Sequence, residues 1–308
     1  MEIRGSSRVY GILGHPVKHS LSPLLHNLAF RSSKLDAVYI PLDVKETGPF
    51  LKRALLALDL GGLSVTIPHK IWAYRMSDKA DRLSQICGAS NTLLFSGKDR
   101  KSIEARNSDG PGAIQALKEV SKIKGKTALI CGYGGSARAI AAQLLLSEKP
   151  SEIWITGRNE KKIKSFIRAL KKQFPGSVLF PLADGASSLP QHAPGRTRNV
   201  QKPDIIIQTT PLGMSSTKTA ASSALPLHPA ILAADAVVFD IVYSPMITPL
   251  IALAKKRKCK VVFGYKMLLY QAVYQYKWFT GREPPVKKWE TILQEDLRSK
   301  EKGSRNAK

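Results

Sequence analysis

The stretch "TALICGYGGSARAIAAQLL", residues 127–145, decides the fold. A short apolar run enters Gly132-x-Gly134-x-x-Ala137 and leaves as an alanine-rich segment, the strand–turn–helix context that a dinucleotide fingerprint needs. Gly132 permits the tight turn, Gly134 lets the backbone approach a pyrophosphate, and Ala137 lets the helix pack close on the strand. Amides that open such a helix face an anion, so the segment from Gly132 to Ala137 is a candidate phosphate cradle.

The next run outward, "EIWIT", ends in Gly157-Arg158-Asn159. A site for NAD carries an acid about 20 residues past the glycines, placed to accept hydrogen bonds from the ribose 2′-hydroxyl. No acid stands at this strand end, and Glu160 comes late. Arg158 and Lys162 instead suit a 2′-phosphate, which favours NADP(H) over NAD(H).

Farther out, short β-branched runs alternate with helical patterns along the whole chain: "VYGILG", "AVYIPL", "LSVTIP", "PDIIIQTT", "AVVFDIV" and "CKVVFG". That alternation predicts βαβ units and a mainly parallel sheet. At 308 residues, two domains are expected rather than one. Residues 175–204 read as a strand with long loops, and the polar tail from Lys300 as frayed chain.

Composition bounds the class. A hydrophobic content of 43 % fits a globular protein. No apolar run reaches the ~20 residues of a membrane span, and the opening "MEIRGSSRVYGILG" lacks the apolar core of a secretory signal, so a soluble intracellular protein is expected. Cys87, Cys131 and Cys259 are far apart and read as reduced thiols, with no metal site. The net charge of +25 attracts nucleic acid, anionic membrane and anionic small molecules alike. Much of it lies in runs such as "EKKIKSFIRALKK" and "KKRKCK", which read as solvated helix faces.

Polar residues gather at the ends of the N-terminal runs. In "GGLSVTIPHK", residues 61–70, Pro68 ends the strand and delivers Lys70 to its lip. "KHSLSP" places Ser20 and Ser22 two apart, their hydroxyls on one side if the segment is extended. Thr66, Asn91 in "GASNTL" and Asp109 in "NSDGPG" fall in similar positions, where open α/β sheets bind ligands. Taken singly, each serine or aspartate also reads as a cap or turn former.

Together these pieces resemble the shikimate dehydrogenases, from the first strand to about Gly281. The matching segments, in order, are "GHPVKHSLSPLLHN", "SVTIPHK", "GASNTL", "NSDGPG", "GYGGSARA", "TTPLGM", "FDIVYSPMITPL" and "GYKMLLYQAVYQYKWFTG". The resemblance implies two α/β domains with a cleft between them. Residues 1–111, completed by helices in 266–308, would bind substrate on a mainly parallel sheet, and residues 112–265 would form a Rossmann-type NADP domain. It implies reversible NADPH-dependent reduction of 3-dehydroshikimate to shikimate, a step of chorismate and aromatic amino-acid biosynthesis, by a cytoplasmic monomer or homodimer with no membrane or specific nucleic-acid partner. Quinate or mixed quinate/shikimate activity is the neighbouring alternative. A polyanion-binding protein on a dehydrogenase scaffold is the alternative of another class.

By the same resemblance Lys70 and Asp109 form the catalytic pair. Ser20 and Ser22, with Tyr243, would take the substrate carboxylate, and Thr66, Asn91 and Gln271 the ring hydroxyls. Gly132, Tyr133, Gly134, Gly135, Ser136 and Ala137 would hold the pyrophosphate, and Arg158, Asn159 and Lys162 the adenosine phosphate. Ile241, Gly264 and Met267 would line the nicotinamide. Three departures stand out. Ser64 replaces the usual Asn two before Thr66, and a weakened local hydrogen bond is expected there. Gly157-Arg158-Asn159 replaces Asn-Arg-Thr, and Gln208 replaces an Asn before Thr209-Thr210-Pro211.

Overall fold

The computed structural model describes residues 2–96, 102–182, 202–214 and 227–306. Two compact units are present, Met1–Gly112 with Leu269–Leu293, and Ala113–Leu268 with Gln294–Lys308.

The first unit is built on six strands: β1 (Arg8–Gly14), β2 (Ala37–Asp43), β3 (Gly62–Val65), β4 (Lys79–Ala80), β5 (Thr92–Ser96) and β6 (Ser102–Arg106). Their order is β2-β1-β3-β5-β6-β4. β1 pairs in parallel with β2 and β3, while β5 runs antiparallel to both β3 and β6. Neither β5 nor β6 is among the runs singled out from the sequence, because their mixed burial breaks the apolar pattern. Helices α1 (Ser22–Ser32), α2 (Pro49–Ala57), α3 (Lys70–Met76) and α4 (Arg82–Cys87) connect these strands.

An aromatic cluster closes one face of this unit. His26 of α1 stacks on Tyr39 at 4.3 Å between centroids and meets Trp289 edge-on at 5.6 Å. Tyr10 packs on Phe279 at 5.3 Å, and a side chain at Gly62 would lie 2.5 Å from the Phe279 ring, so only glycine admits that aromatic against the sheet.

The second unit is an all-parallel sheet of β7 (Thr127–Cys131), β8 (Glu152–Thr156), β9 (Leu179–Leu182), β10 (Ile205–Gln208), β11 (Val237–Asp240) and β12 (Lys260–Val262). The order β12-β11-β10-β7-β8-β9 reverses direction between β7 and β10, the doubly wound arrangement whose ligands bind at the switch point. Between the strands, α5 (Asp109–Lys118) leads in, and α6 (Gly135–Gln143), α7 (Glu160–Gln173) and α8 (Pro249–Lys256) cross over. α7 buries Ile163, Phe166, Ile167 and Leu170 at helical spacing and leaves Lys161, Lys162, Lys164 and Arg168 in solvent, so its basic run is a solvated face.

Unit boundaries fall inside α9 (Gly264–Thr280) and α10 (Val286–Asn306). The tail is not frayed from Lys300 as expected: α10 continues to Asn306, with a Lys300–Asp296 ion pair one turn apart where the tail begins. The long loops expected within 175–204 lie mostly outside the described residues; β9 is the part that is seen. All three cysteines are free thiols. No helix among the described residues is long and apolar enough to cross a membrane.

Candidate active site

Lys70 and Asp109 each open a helix. The expected place of Lys70, a strand lip, is corrected: β3 ends at Val65, the chain turns with His69 N donating to Thr66 O at 2.9 Å, and Lys70 begins α3. The turn forms because the pairing runs out here: Thr66 N donates to Leu13 O at 2.9 Å, His15 N donates to Ile67 O at 3.0 Å, and Pro68 has no amide to extend the ladder. Asp109 is fixed from behind by Asn107, whose Oδ1 accepts from Asp109 N at 3.0 Å and Gly110 N at 3.4 Å. An acid in the first turn of a helix is favoured by the helix dipole.

The two side chains meet. Lys70 Nζ donates to Asp109 Oδ2 at 2.5 Å, and Asn91 Nδ2 donates to Asp109 Oδ1 at 2.8 Å. Asn91 Nδ2 also reaches Gln271 Oε1 at 3.0 Å, so four of the residues singled out from sequence form one hydrogen-bonded group. α5 and α9 approach closely there: a side chain on Gly112 would lie 2.8 Å from Gln271 N. An ammonium and a carboxylate so joined can hold a substrate oxygen and exchange a proton with it.

The serines are arranged differently from expectation. Leu21 is helical at φ −89°, ψ −4°, so "SLS" is not extended and the two hydroxyls are not aligned by strand alternation. Ser22 instead opens α1, buried, and its amide reaches Ser20 Oγ at 3.3 Å. Pro23 in the first turn favours this helical start. At Ser64, where a weakened local bond is expected, the hydroxyl accepts from Tyr39 Oη at 2.6 Å and donates to Gln275 Oε1 at 2.8 Å. Nearby, burial pushes the Cys87 thiol up to about 12, which leaves it an inert neighbour of Asn107.

In the second unit, Gly132 follows β7 at φ +120°, a conformation that favours glycine, and a side chain there would collide with Thr209 at the start of the facing loop. Gly134 caps α6, and a side chain on it would meet no atom of the described residues within 4 Å, so their packing does not demand glycine and they leave the backbone open to an approaching group. Phosphate oxygens fit this turn, where the first amides of α6 have no intrahelical acceptor. Gly157 lies against the Tyr133 ring, 3.0 Å from where its side chain would begin. Arg158 and Lys162 are exposed, while Asn159 Oδ1 accepts from Lys162 N at 2.9 Å and caps α7.

Gln208 folds its own loop, accepting from Thr210 N at 2.9 Å and donating to Thr210 O at 3.1 Å. Asp240 accepts from Thr248 Oγ1 at 2.7 Å and Val242 N at 3.0 Å, and burial raises its carboxyl to about 6. That fixes the loop carrying Ile241 and Tyr243; burial, helped by Asp296, raises the Tyr243 hydroxyl. Gly264 is required where α9 starts, because a side chain would collide with the Val242 carbonyl and lie 2.6 Å from Ile241 O. Met267 is buried one turn on.

Sequence reasoning missed Asn107, Ser108, Tyr39 and Gln275. The Asn-x-Asp spacing of "NSDG" carries a capping signal for Asn107. No local signal marks the others.

Residues 12–93 match the family "Shikimate dehydrogenase substrate binding domain", and 264–290 match "Shikimate 5'-dehydrogenase C-terminal domain". The shikimate dehydrogenase (NADP(+)) of Methanobrevibacter smithii is 38 % identical over 301 residues, covering 96 % of this chain and 99 % of that one. A crystal structure of a shikimate dehydrogenase in complex with NADP+ superposes with a TM-score of 0.83 at 31 % identity, covering 96 % of this chain and 98 % of that one. The ligand-free 5-ketofructose reductase of Gluconobacter sp. gives 0.79 at 25 % identity, covering 95 % and 98 %.

Proposed function

The chain belongs to the shikimate dehydrogenase family, and from that premise we propose how its own residues carry out the reaction. The activity is NADP-dependent oxidoreduction at the CH–OH group of shikimate. When bound, the nicotinamide supplies or accepts the hydride at the carbon that changes oxidation state.

Lys70 and Asp109 handle the oxygen on that carbon. As 3-dehydroshikimate gains the hydride its carbonyl oxygen becomes an alkoxide, and the pair delivers one proton to it, leaving a hydroxyl; in the reverse direction the pair removes that proton. The Lys70 ammonium stabilises the developing negative charge, and Asp109 orients it. The observation that carries this reading is the 2.5 Å Lys70–Asp109 contact, with Asp109 held on its other oxygen by Asn91.

The remaining roles are proposed on the same footing. Ser20, Ser22 and Tyr243 take the substrate carboxylate, and Thr66, Asn91 and Gln271 the ring hydroxyls. The amides from Gly132 to Ala137 hold the pyrophosphate, Arg158, Asn159 and Lys162 the phosphorylated adenosine end, and Ile241, Gly264 and Met267 flank the nicotinamide. The substrate residues other than Tyr243 thus belong to the first unit, and Tyr243 and the cofactor residues to the second. Three free thiols fit a cytoplasmic enzyme, acting as a monomer or homodimer.

Initial rates of NADPH formation from NADP+ test the reading, with shikimate and quinate compared at equal concentration. Retention of Ser22, buried at the start of α1, predicts a higher kcat/KM for shikimate. A higher value for quinate would move the assignment to a quinate dehydrogenase.

A further inference from the structure

Gln275 lies one turn beyond Gln271 on α9, so the two amides share a face of the helix. Both reach Asn91. Gln271 Oε1 accepts from the Asn91 side chain at 3.0 Å, while Gln275 Nε2 donates to the Asn91 backbone carbonyl at 3.1 Å and to Thr92 Oγ1 at 3.2 Å. Gln275 is 1 % exposed, which makes each of these bonds costly to lose.

The donors and acceptors run in one direction. Ser108 N can only donate and meets Asn91 Oδ1 at 2.7 Å, so the NH2 end of Asn91 must face Asp109. The Asn91 carbonyl can only accept, so Gln275 must present its NH2 there and its Oε1 to Ser64. The Ser64 hydroxyl must then donate to Gln275, leaving a lone pair for Tyr39 Oη. Thr92 passes the pattern back, its hydroxyl donating to Asn91 Oδ1 at 3.1 Å. A buried chain therefore runs Tyr39–Ser64–Gln275–Asn91–Asp109–Lys70.

We propose that Gln275 is a positioning residue for the reaction: it supplies from α9 the amide that position 64 lacks and holds Asn91 in the orientation that fixes Asp109. The inference rests on the roles proposed above for Asn91, Asp109 and Lys70. It also defines a compensating change. Ser64 stands directly opposite Thr92 in the antiparallel β3–β5 pair, close enough for an asparagine side chain at 64 to reach across to Thr92 without Gln275.

The test compares Gln275→Ala, Gln275→Glu and the double variant Ser64→Asn/Gln275→Ala with the native chain, measuring kcat, KM for shikimate, KM for NADP+ and Tm. Gln275→Ala should lose about 10-fold in kcat and raise the shikimate KM, as small misplacements of reacting groups do, with the NADP+ KM within about twofold. A residue that only stabilised the fold would lower Tm without this split. The double variant should recover most of the kcat. Gln275→Glu keeps the acceptor for Ser64 but, once ionised, loses the donor to Asn91, so its kcat should fall as pH rises through an ionisation that the native profile lacks. Native kcat and shikimate KM in Gln275→Glu across that range would overturn the proposal. So would a double variant no better than Gln275→Ala, and Gln275→Glu decides alone should Gln275→Ala fail to fold. A native chain forming no NADPH from shikimate would remove the functional reading itself, whereas native activity with an unaffected Gln275→Glu removes only this inference.

Discussion

Lys70 Nζ and Asp109 Oδ2 lie 2.5 Å apart, with the Asp109 side chain 2 % exposed and that of Lys70 13 % exposed. Removing one partner of a buried pair leaves the other charge uncompensated, and the cost falls on whichever group cannot reach water. Lys70→Ala should therefore cost on the order of 3 kcal/mol of stability. Asp109→Asn should cost less, because the ammonium retains a path to solvent. Denaturant unfolding of both variants checks the order, and a larger loss in Asp109→Asn would contradict it.

His26 gives a pH dependence of known sign. It is fully buried, neither ring nitrogen has a hydrogen-bond partner among the described residues, and burial holds its pKa down to about 3. The unfolded chain takes up this proton near pH 6.5 and the folded chain only near 3, so the stabilisation is complete above about 6.5 and is lost as pH falls, by up to ~1.4 kcal/mol per pH unit. Asp240, raised by burial to about 6, acts oppositely: the folded state keeps a proton that the unfolded state releases near 3.8, so its stabilisation is lost as pH rises through 6. Comparing unfolding of the native chain and His26→Phe from pH 7 to 4 isolates the histidine. An unchanged slope would show that it is not the source.

Arg158 should separate the two cofactors. A charged hydrogen bond to a 2′-phosphate contributes about 1.5–3 kcal/mol, and NAD+ has no such group. Arg158→Ala should accordingly raise the KM for NADP+ roughly 10-fold or more, following that energy, with little effect on NAD+. Equal losses for both cofactors would refute the role.

Gly264→Ala probes the backbone junction at the start of α9. Its added carbon collides with Val242, so the loop or the helix must shift. The expected cost is about 1–3 kcal/mol, typical of overpacking, read as a lower Tm. Gly134→Ala meets no atom of the described residues and should leave Tm near native while weakening NADP+ binding measured by titration. A native dissociation constant in Gly134→Ala would mean that no phosphate approaches that backbone.

Legibility in the sequence followed sequence distance. The β7–Gly132–α6 unit could be read locally because strand, turn and helix signals are contiguous, and the doubly wound order of the second sheet agrees with it. Lys70 and Asp109 stand out in the sequence as polar residues after the N-terminal runs, but their pairing comes only from the family resemblance; their contact spans 39 residues of chain and no periodicity encodes it. The alignment expected for Ser20 and Ser22 failed because Leu21 is helical, a choice made by the Pro23 helix start rather than by strand alternation. Ser64 reads as a loss from the sequence because its partner is distant along the chain. That partner, Gln275, sits amid tyrosines in α9, and its bond to Asn91 closes over 184 residues. Buried polar networks assembled from distant strands leave no local pattern, and for that reason this one was invisible.

The most direct test of the account is NADPH formation from shikimate by the native chain, Lys70→Ala and Asp109→Asn. A group that acts mainly in the transition state lowers kcat and kcat/KM together, whereas uniform binding shows in KM alone. Lys70→Ala should lose ~10²-fold or more in kcat with modest change in shikimate KM. Asp109→Asn should fall similarly, and the double variant should lose less than the product of the two because the pair acts as a unit. Native kcat with a raised KM in Lys70→Ala would make the lysine a binding residue and contradict the mechanism.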